Sequence, residues 1–282
     1  MAASYKHNGN KYVYINGNMV KGGFSNPNPI THTGDLTIGA ALTNTGTPYQ
    51  PFKGVIDEVK IFRKQLTDQE VLSEVDEYLN NGLVAYYSFD DGTATDMSGN
   101  QNDGLLLYGV DCTQPGVFGN SCSFDGIDDF INIPSSVSLT PTNEMTWSMW
   151  IKKPDREDGI LLRKGYSFSS SPYIIKMPGY DNVNANFYDG SAATGFSTSG
   201  NTIPSDVWVH VALTYDGTEI VSYVNGEFDK KTSWGTGRSL FNAAGPLLIG
   251  ADYSEAGAIN NEYEGLIDEV RIYNKVLSQE TI

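Results

Sequence analysis

Apolar and polar residues alternate along residues 265 to 273, as they do in a β-strand with one face in a protein core. This segment reads Gly-Leu-Ile-Asp-Glu-Val-Arg-Ile-Tyr. A closely similar segment, Gly-Val-Ile-Asp-Glu-Val-Lys-Ile-Phe, occupies residues 54 to 62, roughly 210 positions earlier. Each is followed four residues later by Leu and then Thr or Ser, at Leu66-Thr67 and Leu277-Ser278. The chain therefore contains an internal repeat.

Shorter strand patterns precede both segments in the same order. Each series starts with a strand that ends in Asn-Gly, a strong signal for a tight hairpin turn. The first series is Lys11 to Ile15 with Asn16-Gly17, then Asp35 to Gly39; the second is Ile220 to Val224 with Asn225-Gly226, then Pro246 to Gly250. Residues 1 to 66 therefore match only residues 215 to 277.

The repeat predicts three parts in the chain. Residues 82 to 282 contain strand patterns with no counterpart before residue 66, so we predict one complete domain there, preceded at 1 to 66 by the C-terminal third of another copy. Between them, Thr67-Asp68-Gln69-Glu70 is a capping box that precedes apolar residues at helical spacing. A short linker helix is predicted over 67 to 81, ending at Asn80-Asn81-Gly82.

Composition sets the fold class. With 39% hydrophobic and 12% aromatic residues the chain has enough apolar side chains for a packed core. Its 30 Gly and many short apolar runs separated by turn residues indicate an all-β sandwich of two antiparallel sheets. Helix is expected only in the linker.

Charge argues against two classes of partner. The chain has 18 basic and 34 acidic residues and a net charge of −16, which repels nucleic acids and anionic membranes. It shows neither a leader pattern nor an apolar run of membrane-spanning length. We therefore expect no nucleic-acid partner and no insertion into a membrane.

The two cysteines, Cys112 and Cys122, are close in sequence and flank Gly116 and Gly119. They predict one local disulfide if the protein matures in an oxidising compartment. The alternative is a pair of small buried thiols.

Seven motifs occur in order along the chain. They are Tyr87-x-Phe89-Asp90, Asp96-x-Ser98-Gly99-Asn100-x-Asn102-Asp103-Gly104, Phe118-Gly119-Asn120, Phe124-Asp125-Gly126-x-Asp128-Asp129-Phe130, Trp208 to Asp216, Val224-Asn225-Gly226 and 265 to 273. In this order they resemble the laminin-G-like, concanavalin A-like jelly-roll domains of bacterial extracellular proteins. The resemblance implies a concanavalin A-like jelly roll and an extracellular or cell-surface location.

The same resemblance implies a structural calcium ion near the terminal strand. The positions that match are Asp268, Asp90 and Gly126, with Asp125 beside them. A hard cation is bound by such mixtures of carboxylate and carbonyl oxygens. The alternative is that these aspartates hydrogen-bond to the backbone of their own turns.

No catalytic arrangement is evident. Glycosidases of this superfamily place carboxylates on one strand in a pattern close to Glu-x-Asp-x-x-Glu. The nearest string, Glu74-Val75-Asp76-Glu77, lacks the final Glu and falls on the predicted linker helix. Three His and the absence of a Gly-x-Ser-x-Gly segment give no nucleophile and base either. We expect a protein that is not an enzyme.

Strand alternation identifies candidate binding residues. In residues 145 to 152 the apolar face is Met145, Trp147, Met149 and Ile151, which leaves Trp150 facing outward. In residues 207 to 214 the same alternation predicts that Val207, Val209, Val211 and Leu213 are buried. It places Trp208, His210 and Thr214 on the other face. The resemblance implies that a loop covers Trp208 and His210. Trp234 and Tyr253 have loop-like surroundings and are further candidates.

Aromatic rings beside hydrogen-bonding groups suit a sugar. We therefore predict a non-catalytic, extracellular carbohydrate-binding module from a larger bacterial polysaccharide-degrading or cell-surface protein, with a polysaccharide or glycan as partner. The alternative is a structural or adhesive repeat that binds another extracellular protein and no sugar.

Overall fold

The computed structural model describes residues 82–282 except 141–142, 156–157, 166–170, 201, 243 and 254–257. Before residue 82 it describes residues 2–5, 11–15, 18–23, 37–38, 40–42, 47–49, 52–53, 59 and 61. Contacts divide the chain into two units, Met1–Asn81 and Gly82–Ile282. The predicted linker helix at 67 to 81, and most of the strands predicted at 35 to 39 and 54 to 62, lie outside the described residues.

The first unit contains a three-stranded antiparallel sheet and a separate two-stranded one. The larger sheet has the order β1-β2-β3, and β4 pairs with β5. The strands are β1 Ala2–Tyr5, β2 Lys11–Ile15, β3 Asn18–Gly23, β4 Ala41–Leu42 and β5 Pro48–Tyr49.

The first hairpin repeats a hairpin of the second unit, which consists of β17 (Glu219–Val224) and β18 (Glu227–Ser233). Ile15 pairs with Asn18 as Val224 pairs with Glu227. In both hairpins the pairing register shifts at the same distance from this pair, between Val13 and Tyr14 in the first and between Ser222 and Tyr223 in the second. The predicted common hairpin geometry is therefore confirmed. The assignment of residues 1 to 66 to the C-terminal third of a domain stays a prediction.

Strands make up almost all of the regular secondary structure described in the second unit. It begins with β6 Leu83–Tyr87, β7 Leu105–Leu107, β8 Asp111–Pro115, β9 Asn120–Asp125, β10 Phe130–Ile133 and a single 3₁₀ turn, Val137–Leu139. It continues with β11 Met145–Lys152, β12 Asp158–Lys164, β13 Tyr173–Pro178, β14 Asn184–Tyr188, β15 Ala193–Ser197 and β16 Val209–Tyr215. After β17 and β18 come β19 Leu247–Ile249, β20 Asp252–Tyr253, β21 Ile259–Asn260 and β22 Glu264–Tyr273. In the described part of the chain, no helix has the length and apolar character to cross a membrane.

Two antiparallel sheets form the body of this unit. The first sheet has the order β15-β14-β13-β12-β19-β10-β7, and the second has the order β18-β17-β16-β11-β22-β9-β8, with β6 also paired to β22. The predicted all-β sandwich is confirmed. It arises because alternate residues of each strand are apolar and the two apolar faces cover each other.

Trp147 on β11 shows how the sheets meet. Its side chain is 1% exposed and contacts Tyr173 and Phe187, with ring centroids 5.0 Å and 5.3 Å away. These two partners lie on β13 and β14 of the first sheet, so the indole spans the space between the sheets. Met145, Met149 and Ile151 are buried in the same core, as the alternation predicts.

The second sheet is interrupted at β22. On one edge β22 pairs with β9 as far as Ile267 and with β6 from Val270. Opposite β11 it contains an extra residue, and Glu269 at this bulge has a φ of 54°. A bulge ends regular pairing and redirects side chains. As a result Asp268 and Glu269, both buried, lie where β22 passes from one partner to the other.

The predicted disulfide between Cys112 and Cys122 is confirmed. It joins β8 and β9, neighbours in the second sheet, and both side chains belong to the core. The alternative of two free thiols is therefore excluded.

Candidate functional site

The face of the second sheet that points away from the core carries a group of aromatic and charged side chains. We call Tyr86, Trp150, His210, Glu269 and Arg271 the outer patch. The pairing of the strands brings them together: Trp150 lies opposite His210 on one side and Asp268 on the other, and Arg271 lies opposite Tyr86. Small residues, Ser148 and Ala212, occupy the middle of this face.

Trp150 and His210 form a cross-strand ring pair. Their centroids are 5.3 Å apart with an interplanar angle of 53°. Trp150 is partly exposed, as the sequence predicts, whereas His210 is only 8% exposed. Among the described residues, neither the imidazole nor the indole N–H has a hydrogen-bond partner.

Tyr86, Glu269 and Arg271 hold one another in place. The Tyr86 hydroxyl donates to Glu269 Oε1 at 2.9 Å, and Arg271 pairs with Glu269 Oε2. The guanidinium also lies over the Tyr86 ring, 4.2 Å from its centroid. Glu269 and Arg271 lie two residues apart on one face of β22, and the pairing of β22 with β6 places Tyr86 beside them. The Glu269 charge is thus neutralised within the outer patch.

Burial lowers the pKa of His210 to about 4, and the nearby positive charge of Arg271 lowers it further in the same direction. The imidazole is therefore neutral at physiological pH. A neutral imidazole offers one donor and one acceptor, which matches the hydroxyl groups of an uncharged ligand.

The low pKa of His210 predicts acid sensitivity. An unfolded His takes up a proton near pH 6.5, before the folded one does, so stability is complete above about pH 6.5 and falls as the pH drops toward 4. Between about pH 7 and 4.5 the contribution of His210 should fall by on the order of 2 kcal/mol, whereas the raised pKa of Asp268 acts in the opposite direction. Urea unfolding of the wild type and of His210→Gln at both pH values isolates this contribution, because the wild type should lose more stability on acidification than the variant. An unchanged slope in the variant would contradict the assignment.

The other predicted ligand residues have different surroundings. Trp208 immediately precedes β16 and is partly exposed. Tyr253 ends β20, and its side chain lies outside what the structure describes. Val207, predicted to be buried, is 51% exposed because it lies before the regular part of β16 begins. Ligand contact by Trp208 and by Tyr253 therefore stays a prediction.

Trp234, predicted as a ligand-binding residue, is buried instead. It is 8% exposed and packs against Tyr215 and Phe187, with centroids 5.6 Å and 6.3 Å away. Arg238 covers its ring at 5.7 Å. The Gly-rich segment after β18 turns this indole into the core, so Trp234 has no free ring face for a ligand.

Two of the aspartates that the resemblance implies for calcium surround the loop between β8 and β9. Asp268 Oδ2 accepts hydrogen bonds from the Val117 and Phe118 amides at 2.8 Å and 3.3 Å, and Asp90 Oδ1 accepts one from the Asn120 amide at 3.0 Å. Gly119 permits this approach, because an added Cβ would overlap Asp90. The two carboxylates thus fasten this loop.

Asp125 and Gly126 lie elsewhere, which corrects the predicted single site. Asp125 pairs with Glu264, four residues before Asp268 on β22. At about 3.3 Å per residue, Asp125 and Asp268 are roughly 13 Å apart, whereas calcium ligands lie about 2.4 Å from the ion. One ion cannot join them.

Whether a calcium ion joins Asp90 and Asp268 stays a prediction. Burial raises the pKa of Asp268 to about 6, against the lowering effect of its two amide hydrogen bonds. Asp268 Oδ1 is buried without a partner. No third acidic group completes a cluster with these residues in the described ranges, so a calcium ion, which needs six to eight oxygens, would take most of them from the backbone and from water.

Tyr86, Glu269 and Arg271 were not predicted as site residues. A signal was present, since Glu269 and Arg271 belong to the repeated strand motif and have Glu58 and Lys60 as counterparts. In a regular strand Glu269 shares a face with Arg271, two residues further on. The pairing of β22 with β6, which alternation alone does not give, brings Tyr86 to them.

The sandwich and its strand order define a jelly-roll domain of lectin type. A laminin G family model, described as concanavalin A-like lectin/glucanases superfamily, matches residues 1–72 and 125–282. The chain therefore belongs to the concanavalin A-like lectin/glucanases superfamily. No curated protein matches it.

Solved structures with the same fold include toxin and enzyme domains. The binding domain of Paraclostridial Mosquitocidal Protein 1 is 18% identical with a TM-score of 0.59, over 72% of this chain and 51% of that one. Domain 4 of AbnA, a GH43 extracellular arabinanase from Geobacillus stearothermophilus in complex with arabinotriose, is 22% identical with a TM-score of 0.55, over 71% and 95%. A structure of botulinum neurotoxin type C, a toxin whose cell entry depends on interaction with two ganglioside molecules, is 14% identical with a TM-score of 0.55, over 72% of this chain and 50% of that one. The chain spans about half the length of the toxin structures that it matches.

Proposed function

We propose that the second unit is a non-catalytic carbohydrate-binding module of an extracellular protein. The observation that carries the proposal is the partly exposed Trp150 ring beside the unpartnered imidazole of His210. Arg271 adds a cation whose position is fixed by Glu269 and Tyr86. The outer patch thus combines an apolar surface with rigidly placed polar groups.

This combination suits a sugar ring. The C–H face of a pyranose or furanose stacks on an indole, and its hydroxyls need donors and acceptors nearby. The neutral imidazole supplies one of each, and the guanidinium supplies donors. Because Glu269 is already paired, the patch presents no free negative charge that would repel an acidic glycan.

The comparisons support the same class of ligand. The arabinanase domain is described with arabinotriose, and the type C neurotoxin is described with gangliosides. We extend glycan binding to this chain on that basis together with the outer patch. The disulfide supports an extracellular location, since such bonds persist in oxidising compartments.

The carboxylates near the patch support a non-catalytic role. A glycosidase needs two carboxyl groups roughly 5 to 9.5 Å apart and open to the glycosidic bond. Glu269 is engaged by Tyr86 and Arg271, and Asp268 is fully buried beneath the loop amides. Neither is free to protonate a leaving group. We expect no release of reducing sugar from any bound polysaccharide.

Replacing Trp150 tests the proposal directly. We expect Trp150→Ala to weaken binding of the best ligand from a glycan array by about 10-fold or more, because a ring at the centre of a contact supplies much of the affinity. Isothermal titration calorimetry with that glycan measures the change. Tyr180→Ala is the matched control, since Tyr180 is 74% exposed on the turn after β13 of the first sheet.

Two results would contradict the assignment. Equal affinity of wild type and Trp150→Ala would place the ligand away from the outer patch. Release of reducing sugar would show that the unit is an enzyme.

A second candidate function is an adhesive or structural repeat that binds another protein. The observation that favours it is the recurrence of the same hairpin in both units, with the same register shift. Repeated domains commonly serve as spacers or contact surfaces. An array without any bound glycan, combined with binding to an extracellular protein, would favour this candidate.

A further inference from the structure

Three aspartates converge at the turn between β9 and β10. Asp125, Asp128 and Asp129 each offer one carboxylate oxygen, and these three atoms all lie within 4.8 Å of one another. Asp125 and Asp128 are exposed, whereas Asp129 is 4% exposed. Gly126, with a φ of 73°, reverses the chain so that the two ends of the turn face each other.

Hydrogen bonds within the turn account for only part of this cluster. Asp125 Oδ1 accepts from the Ile127 amide at 2.8 Å, and Asp129 Oδ2 accepts from the Asp125 amide at 3.0 Å. Asp129 Oδ1 is buried and accepts no hydrogen bond. A buried carboxylate oxygen without a partner is costly, and two further carboxylates beside it increase the cost.

The unpaired oxygen lies close to the backbone of the turn after β7. Gly109, in the turn after β7, faces it, and a Cβ added there would lie 2.9 Å from Asp129 Oδ1. Burial raises the pKa of Asp129, and the charges of Asp125 and Asp128 raise it as well, against one amide hydrogen bond that lowers it. The surroundings of Asp129 thus lack a positive charge.

The geometry points to a calcium ion held by Asp125, Asp128 and Asp129. Ligands of one calcium ion at about 2.4 Å lie at most about 5 Å from each other, which the three oxygens satisfy. Calcium accepts an irregular set of oxygens, whereas magnesium demands near-ideal octahedral geometry. The exposed side of the cluster leaves room for water to complete the shell. The ion holds the two ends of the β9–β10 turn together.

This site differs from the one that the family resemblance implies. It contains neither Asp90 nor Asp268, and it does not depend on glycan binding at the outer patch. Because it is bound by the folded β9–β10 turn and not by the unfolded chain, the ion stabilises the native state, and the unfolding temperature rises with the concentration of the ion.

Calcium titration of the full-length, chelator-treated protein tests the site. We expect calcium chloride up to about 10 mM to raise the Tm of the wild type, since extracellular modules bind calcium at about 0.1 to 1 mM. Asp128→Asn and Asp129→Asn should each lose this rise. Asp128 is exposed, so its variant remains informative even if Asp129→Asn fails to fold. Asp90→Asn and Asp268→Asn are controls that should keep the rise.

Each remaining outcome overturns the proposal. No increase in the wild-type Tm with calcium would show that the cluster holds no ion. An increase retained by Asp128→Asn would place the ion elsewhere, and one lost in Asp268→Asn would return it to the position that the resemblance implies.

Discussion

Trp147→Ala should destabilise the second unit by about 3 to 5 kcal/mol, the cost of deleting a buried aromatic side chain. Trp147 is 1% exposed and contacts both β13 and β14 across the core. Its removal leaves a cavity that rigid strands on both sides fill poorly. Total stabilities of domains are about 5 to 15 kcal/mol, so the loss should shift the urea midpoint strongly.

Trp150→Ala provides the matched control for this measurement. The residue has the same type and the same strand, but its ring lies on the outer face and is partly exposed. We expect a cost of about 1 kcal/mol. Similar losses for both variants would mean that the two faces of β11 are assigned incorrectly.

Removing the disulfide should have the second largest effect. A bond that closes a loop of about ten residues restricts the unfolded chain by about 3 kcal/mol. Cys112 and Cys122 are also buried, at 2% and 0% exposure, so Cys112→Ala/Cys122→Ala loses packing in addition. We expect a lower urea midpoint for the double variant than for the oxidised wild type.

Reductant supplies the control for the disulfide. Unfolding in dithiothreitol should lower the midpoint of the wild type and leave that of the double variant unchanged. A wild-type midpoint that reductant does not alter would contradict a stabilising role for this bond.

Strand alternation predicted the faces of β11 and most of β16, because a period of two is a local property of an extended chain. It placed Trp147 in the core and Trp150 outside. It was wrong for Val207, where the regular strand had not begun, and it gave no information on Trp234. The position of Trp234 depends on where a Gly-rich segment folds back. Contacts between residues distant in sequence determine that point.

The calcium prediction shows a similar limit. The motifs containing Asp90, Asp125 and Asp268 were recognisable, but whether their side chains meet depends on strand register. Because Asp125 pairs with Glu264, it cannot reach Asp268. The group formed by Asp125, Asp128 and Asp129 is local in sequence, yet the buried and unpaired state of Asp129 depends on Gly109 in another turn. Sequence alone does not show that contact.

The central position of β22 has a consequence for biosynthesis. This strand pairs with β6, β9 and β11, and it follows every other described strand. At roughly 5 to 20 residues per second, about 10 to 35 s separate the synthesis of β6 from that of β22. During this interval the nascent chain exposes unpaired strand edges on β6, β9 and β11, and contacts of such long sequence separation form slowly. Ribosome-associated chaperones would have to protect these edges, and a ribosome that stalls before β22 would release an aggregation-prone chain.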